Sequence, residues 1–136
     1  MESNSYKETI NIAREFAKKL KNGDVICMYG DLGAGKTAFA QGVAEGLGIK
    51  GYVNSPTFTI VNVYRGNEFT LNHFDAYRIG DSDEMLDIGF DEMISGDDIS
   101  IIEWAELIED ILPKSRYNIS IYRIGDESRR IEIERM

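Results

Sequence analysis

Gly30-Asp31-Leu32-Gly33-Ala34-Gly35-Lys36-Thr37 matches G-x-x-x-x-G-K-[ST], the phosphate-binding P-loop. A polyphosphate needs backbone N–H groups wrapped closely around its oxygens, and residues without a Cβ permit both the approach and the positive-φ turns. Gly30, Gly33 and Gly35 supply that freedom. Lys36 is suited to set an ammonium against β- and γ-phosphates, and the Thr37 hydroxyl to hold Mg²⁺. The main-chain groups of Asp31, Leu32, Gly33, Ala34, Gly35, Lys36, Thr37 and Ala38 are the expected nucleotide cradle. Asp24 to Tyr29 reads as a buried strand entering this loop, and Thr37 to Leu47 as a helix leaving it. That is the context the motif requires, with the helix's positive end aimed at the phosphates.

Binding alone is not hydrolysis, which also needs an acid on the metal side and a group to orient water. Glu103 ends the apolar run Ile99-Ser100-Ile101-Ile102 and is the expected Mg²⁺-side acid; otherwise it is an acid at a strand end. Asp75, within His73-Phe74-Asp75-Ala76-Tyr77-Arg78, ends a strand with alternating polar side chains and could position water or complete the metal shell. Lys36, Asp75 and Glu103 form the candidate catalytic set. His73 reads as structural. Arg78 is either a salt-bridge partner or a contact to phosphate or to another protein. Ser55, Pro56 and Thr57 stand where a switch segment would sense a γ-phosphate.

The elements that must position these groups follow from pattern. Ser5 to Glu8 has capping-box spacing, and Tyr6, Ile10, Ala13, Ala17 and Leu20 make one amphipathic helix ending near Asn22-Gly23. Thr9 and its neighbours are candidates for the adenine pocket, although such a helix can simply cover the sheet. Gly46 and Gly48 read as the end of the P-loop helix. Phe58 to Tyr64 and Phe69 to Ala76 alternate around Arg65-Gly66-Asn67-Glu68 as an inserted β-hairpin. Gly80 to Gly89 and Phe90 to Ile94 read as short helical stretches, and Ala105 to Leu112 as a helix stopped by Pro113. Tyr117 to Ile124 and Arg130 to Glu134 form a closing hairpin. The expected fold is α/β: one P-loop NTPase domain over residues 1–136, its mixed central sheet of about seven strands flanked by helices.

Composition narrows the partners. The chain has 136 residues, 15 Lys and Arg against 24 Asp and Glu, and a formal net charge of −9. Such a surface disfavours strong direct binding of RNA, DNA or an anionic membrane. The single cysteine, Cys27, excludes an internal disulfide and reads as a buried apolar residue in the first strand. No apolar segment reaches membrane-spanning length, so a cytoplasmic protein is expected.

Taken in order, GDLGAGKT (Gly30 to Thr37), SPTF (Ser55 to Phe58), HFDAYR (His73 to Arg78) and IIEWAE (Ile101 to Glu106) resemble the TsaE family, also called YjeE. The resemblance covers essentially the whole chain. It implies a small bacterial ATPase needed for N6-threonylcarbamoyladenosine at position 37 of tRNA, using ATP and Mg²⁺ and resetting a TsaB–TsaD complex between turnovers. By motif, it gives Lys36 and the loop amides to the phosphates and Thr37 and Glu103 to Mg²⁺. Asp75 falls at the family's HxDxYR aspartate, and Trp104, after the metal-side acid, could contact nucleotide or partner, with core packing the plainer reading. A small P-loop kinase is the first alternative, but no arginine-bearing lid follows the short helical stretch. A GTPase lacks its N-K-x-D segment here, which favours ATP. A non-hydrolysing, ATP-dependent binding module shares every binding residue and stays open.

Overall fold

A computed structural model of the chain describes residues 1–30, 34–50, 61–78 and 81–136, with Arg78 described through its backbone alone. Asp31, Leu32, Gly33 and the Ser55-Pro56-Thr57 segment lie outside the described residues, as does the Arg78 side chain.

The strands are β1 (Glu2–Ser3), β2 (Val25–Tyr29), β3 (Val61–Arg65), β4 (Thr70–Asp75), β5 (Ile99–Glu103), β6 (Tyr117–Arg123) and β7 (Arg129–Arg135). They form one sheet in the order β1-β7-β6-β2-β5-β4-β3. The four central strands β6, β2, β5 and β4 are parallel, and antiparallel strands close each side. This is the mixed sheet with an inserted and a terminal hairpin that the sequence implies. β1 is an addition. Its two residues pair with Arg129 and Arg130 of β7, too short and polar a segment to show any alternation.

Among the described residues, two helices cover one face. Helix α1 (Tyr6–Ala17) starts at Ser5, whose hydroxyl accepts from the Glu8 amide at 3.1 Å, while Glu8 accepts from the Asn4 amide at 3.2 Å. The capping box is therefore real, with its return bond reaching one residue further back. The helix stops at Ala17, before the expected Asn22-Gly23. Lys18, Lys19 and Leu20 donate to the carbonyls three residues earlier, a tightening that still carries Leu20 into the core. Helix α2 (Lys36–Gly46) ends in a Schellman arrangement, with Gly48 (φ +76°) bonded to Glu45 and Ile49 to Ala44. Gly46 is the last residue of the helix, as the sequence implies, and has a packing role besides. A Cβ on it would stand 2.6 Å from the Ala17 Cβ, and one on Gly42 would stand 2.6 Å from the Ala13 Cβ and strike the Ile10 carbonyl. These two glycines let α2 lie directly against α1.

The other face carries α3 (Ser82–Asp87), α4 (Phe90–Ile94) and a 3₁₀ segment, Ala105–Ile111. That last segment is the expected helix, in 3₁₀ form. It breaks at Ile108 (φ −132°, ψ 32°), whose fully buried side chain joins the core beneath. Leu112 is extended, as a residue before proline must be. Strand alternation feeds two cores: Ile26, Met28, Leu71, Ile99 and Ile101 towards α1 and α2, and Val25, Cys27, Phe74 and Ile102 towards α3, α4 and the 3₁₀ segment.

Candidate active site

The site sits at the carboxyl ends of β2, β4 and β5, where a parallel sheet opens its cleft. Gly30 leaves β2 at φ +144°, so close to β6 that a Cβ would stand 2.5 Å from the Ile121 carbonyl oxygen. Only glycine passes there. Gly35 caps α2 at φ +107°, and Lys36 begins the helix. A helix start carries partial positive charge, so α2 brings a positive end to the sheet edge.

Lys36 is 6% exposed. Its ammonium lies 3.7 Å from the centre of the Trp104 ring, a cation–π contact, and the Tyr77 ring is tilted against Trp104 with ring centres 5.0 Å apart. Trp104 takes φ +59°, the one non-glycine residue with positive φ among those described. A bulky side chain in that conformation is strained, and strain of this kind gathers at functional sites.

Glu103, 5% exposed, faces the α2 side of the sheet from the end of β5. Register sets Asp75 directly opposite it and His73 opposite Ile101. The His73 Nε2 lies 2.7 Å from Glu103 Oε2, with the ring fully buried. Asp75 is half-buried, and its Oδ1 accepts from the Tyr77 amide at 3.1 Å. The structure thus brings Lys36, Asp75, Glu103 and His73 to one sheet edge, with the exposed Thr37 at the start of α2.

Thr9 is buried, its hydroxyl 2.7 Å from that of Ser3. It also lines a cleft of about 110 Å³ with Tyr6, Gly35, Ala38 and residues Asp126, Glu127 and Arg129 of the closing hairpin. A larger groove of about 410 Å³, lined by Met1, Ile12, Phe16 and Ile133 among others, contains no residue of the glycine loop. Of these two, the small cleft is the one bordered by Gly35, at the start of the P-loop helix.

Do these residues suit Mg²⁺ and a nucleotide? Among the described residues no three His, Cys, Asp or Glu side chains cluster as a self-sufficient metal cage. Mg²⁺ does not ask for one: it keeps waters and is bound through one or two carboxylates together with substrate phosphates. Glu103, Asp75 and Thr37 are hard oxygen donors of that kind. Gly35 at positive φ and a buried lysine at a helix start fit a phosphate chain.

A profile of the family described as "Threonylcarbamoyl adenosine biosynthesis protein TsaE" matches residues 3–131. The chain belongs to the TsaE family. The tRNA threonylcarbamoyladenosine biosynthesis protein TsaE of Bacillus subtilis is 50% identical over 125 residues, covering 92% of this chain and 78% of that protein. The TsaE protein of Treponema pallidum is 37% identical over 131 residues, 96% of each chain. The crystal structure of Bacillus subtilis YdiB superposes with a TM-score of 0.80 at 40% identity, covering 96% of this chain and 80% of that one. The P-loop NTPase fold with its mixed sheet is therefore shared with a solved TsaE relative.

Several neighbours in this TsaE site escaped sequence reasoning. His73 was readable: two residues before Asp75, strand alternation puts it on the same face. Tyr6, Asp126, Glu127 and Arg129 carry no local signal, because the cleft forms only when the first helix and last hairpin meet. Nor does spacing reveal that Lys36 meets Trp104.

Proposed function

We propose that this TsaE-family protein is a Mg²⁺-dependent ATPase that supports tRNA threonylcarbamoyladenosine biosynthesis by acting on a TsaB–TsaD protein complex. The observation that carries the reading is a nearly buried lysine beginning the helix after a P-loop sequence, beside a strand ending in a buried glutamate. Curated relatives named for tRNA threonylcarbamoyladenosine biosynthesis supply the pathway.

In this reading the amides from Asp31 to Ala38 cradle the phosphates, and Lys36 leaves the Trp104 ring to meet the β- and γ-oxygens. Thr37 and Glu103 hold Mg²⁺, which when bound offsets the charge on the phosphate oxygens. Asp75 orients water. The cleft beside Thr9 and Ala38 receives adenine, and Ser55, Pro56 and Thr57 act as the switch. The net charge of −9 suits a protein partner better than unaided tRNA binding.

Phosphate release from MgATP, measured alone and with TsaB and TsaD, tests the proposal. Weak release alone and clear stimulation by the pair is the expected result. A rate indifferent to the partners would remove the partner-gated mechanism, and phosphate transferred to a small metabolite would make the protein a kinase.

A further inference from the structure

A carboxylate inside a protein must be paired or hydrogen-bonded, because desolvation otherwise outweighs what holds it there. Glu103 is such a group at 5% exposure, and a partner comes from the neighbouring parallel strand. His73 is fully buried and sets its Nε2 2.7 Å from Glu103 Oε2. A carboxylate only accepts, so the ring nitrogen donates. The pairing follows from register. Asp75 stands opposite Glu103, and His73 is one step back on the same face of the sheet, diagonal to the glutamate.

The two acids at this edge are consequently held in different ways. Asp75 is half-buried and fastened to the backbone of its own turn through the Tyr77 amide. Glu103 is fastened by a side chain enclosed within the protein, which cannot turn away without repacking the core. Imidazole–carboxylate contacts behind metal ligands are a recurrent way of fixing a ligand's orientation, and their loss typically costs 10–100-fold in metal affinity.

We propose that His73 is a positioning residue, fixing the rotamer of Glu103 so that its carboxylate takes Mg²⁺ beside a bound nucleotide. The proposal rests on the reading of Glu103 as the metal-side acid. His73 then acts through Glu103 and does not touch nucleotide.

Two amide substitutions separate this role from simple core filling. Glutamine places an NH₂ near the position of the imidazole Nε2, whereas asparagine reaches only to the position of Nδ1. Titration calorimetry of ADP with and without MgCl₂ is the primary readout, and the Mg²⁺ dependence of phosphate release from ATP the second. With His73→Asn, the Mg²⁺ concentration needed for half-maximal effect should rise about tenfold or more, while Mg²⁺-free ADP affinity stays within about twofold of the starting protein. His73→Gln should recover most of the loss. Equal Mg²⁺ dependence in both variants, or parallel losses of Mg²⁺-free and Mg²⁺-bound affinity, would overturn the positioning role.

Should His73→Asn alone not fold, it is made in a Glu103→Ala background, where no buried carboxylate demands a partner. Nothing then remains to be positioned, so the second change should leave the Mg²⁺ dependence where Glu103→Ala put it; a further loss would refute the coupling. The two readings fail differently. A starting protein whose ADP binding and phosphate release ignore Mg²⁺ removes the ATPase proposal and this one with it. A Mg²⁺-dependent protein indifferent to both His73 variants removes this one alone.

Discussion

Helix α2 begins in one kind of environment and continues in another. At its start, Gly35 takes φ +107° and Lys36 buries an ammonium against Trp104, itself at φ +59°. Two turns on, Gly42 and Gly46 have ordinary helical backbone and bring α2 against Ala13 and Ala17 of α1. In the proposed reading, glycine serves a phosphate chain in the first place, and in the second it admits a neighbouring helix. The first region carries buried charge and strain, both of which cost stability. The second is close-packed and returns it.

Removing Lys36 tests that division most severely. Lys36→Ala should weaken ATP and ADP binding roughly a hundredfold, the scale of a lost charged hydrogen-bond donor of about 2–3 kcal/mol. The melting temperature should hold or rise, since a desolvated ammonium goes with it. Glu103→Ala should instead damage Mg²⁺-dependent turnover more than nucleotide binding. Intact turnover would move the metal-side role to Asp75. A Lys36→Ala protein markedly less stable than its parent would show that the site is also part of the fold's support, and the comparison would break.

Gly42→Ala asks the reverse question. Alanine is the better helix former by about 1 kcal/mol, so on propensity alone the change should stabilise. The new methyl, however, meets the Ile10 carbonyl and stands 2.6 Å from the Ala13 Cβ. Overpacking costs about 1–3 kcal/mol and occasionally more. Set against the propensity gain, that leaves an expected net loss of about 1–2 kcal/mol in urea unfolding, with nucleotide affinity of the folded fraction unchanged. A stabilised Gly42→Ala would mean that the two helices move apart freely.

Which of these regions could be read before folding? The parallel centre could, because Val25 to Tyr29 and Ile99 to Ile102 are nearly unbroken apolar runs, as strands covered on both faces must be. The hairpins showed in their alternation and the glycine loop in its motif. The α1–α2 seam did not: Gly46 reads as a stop signal, and its packing role depends on a helix nearly thirty residues away. The pairing of His73 with Glu103 spans 30 positions and is set by the β4–β5 register, which local pattern does not carry. Ala105 to Leu112 has helical spacing, yet burial of Ile108 breaks it into 3₁₀ turns.

Trp104 offers a smaller effect that separates strain from packing at the site. Alanine and glycine both delete the ring and its contacts with Lys36 and Tyr77, but only glycine is at ease at φ +59°. Trp104→Gly should be more stable than Trp104→Ala by about 1 kcal/mol, the cost of a Cβ in the left-handed region. Equal urea midpoints would mean that the chain relaxes once the ring is gone, so the ring imposes the strain.

The smallest expected effect compares two buried ionisable groups on the paired strands β2 and β5. Cys27 lies opposite Ile102, one residue before the row in which Met28 meets Glu103. Glu103 has an imidazole partner, whereas the core around Cys27 is apolar. Burial pushes the Cys27 thiol up to about 12 from an ordinary value of 9.0; Arg116 opposes the rise and Glu109 adds to it. Well below pH 9 the thiol is protonated in both folded and unfolded chains and contributes no pH dependence. Between pH 9 and 12 the unfolded chain releases a proton that the folded chain keeps, so stability falls as pH rises, at most on the order of 1 kcal/mol per unit for one proton. Tyr29, raised by burial and by its hydrogen bond to Glu109, acts in the same direction. Cys27→Ala should therefore lose some stability at pH 7 through the cavity it leaves, yet decline less steeply between pH 9 and 10.5. Urea midpoints across that range measure it, and parallel alkaline slopes for the two proteins would mean that the thiol is not kept protonated by the fold.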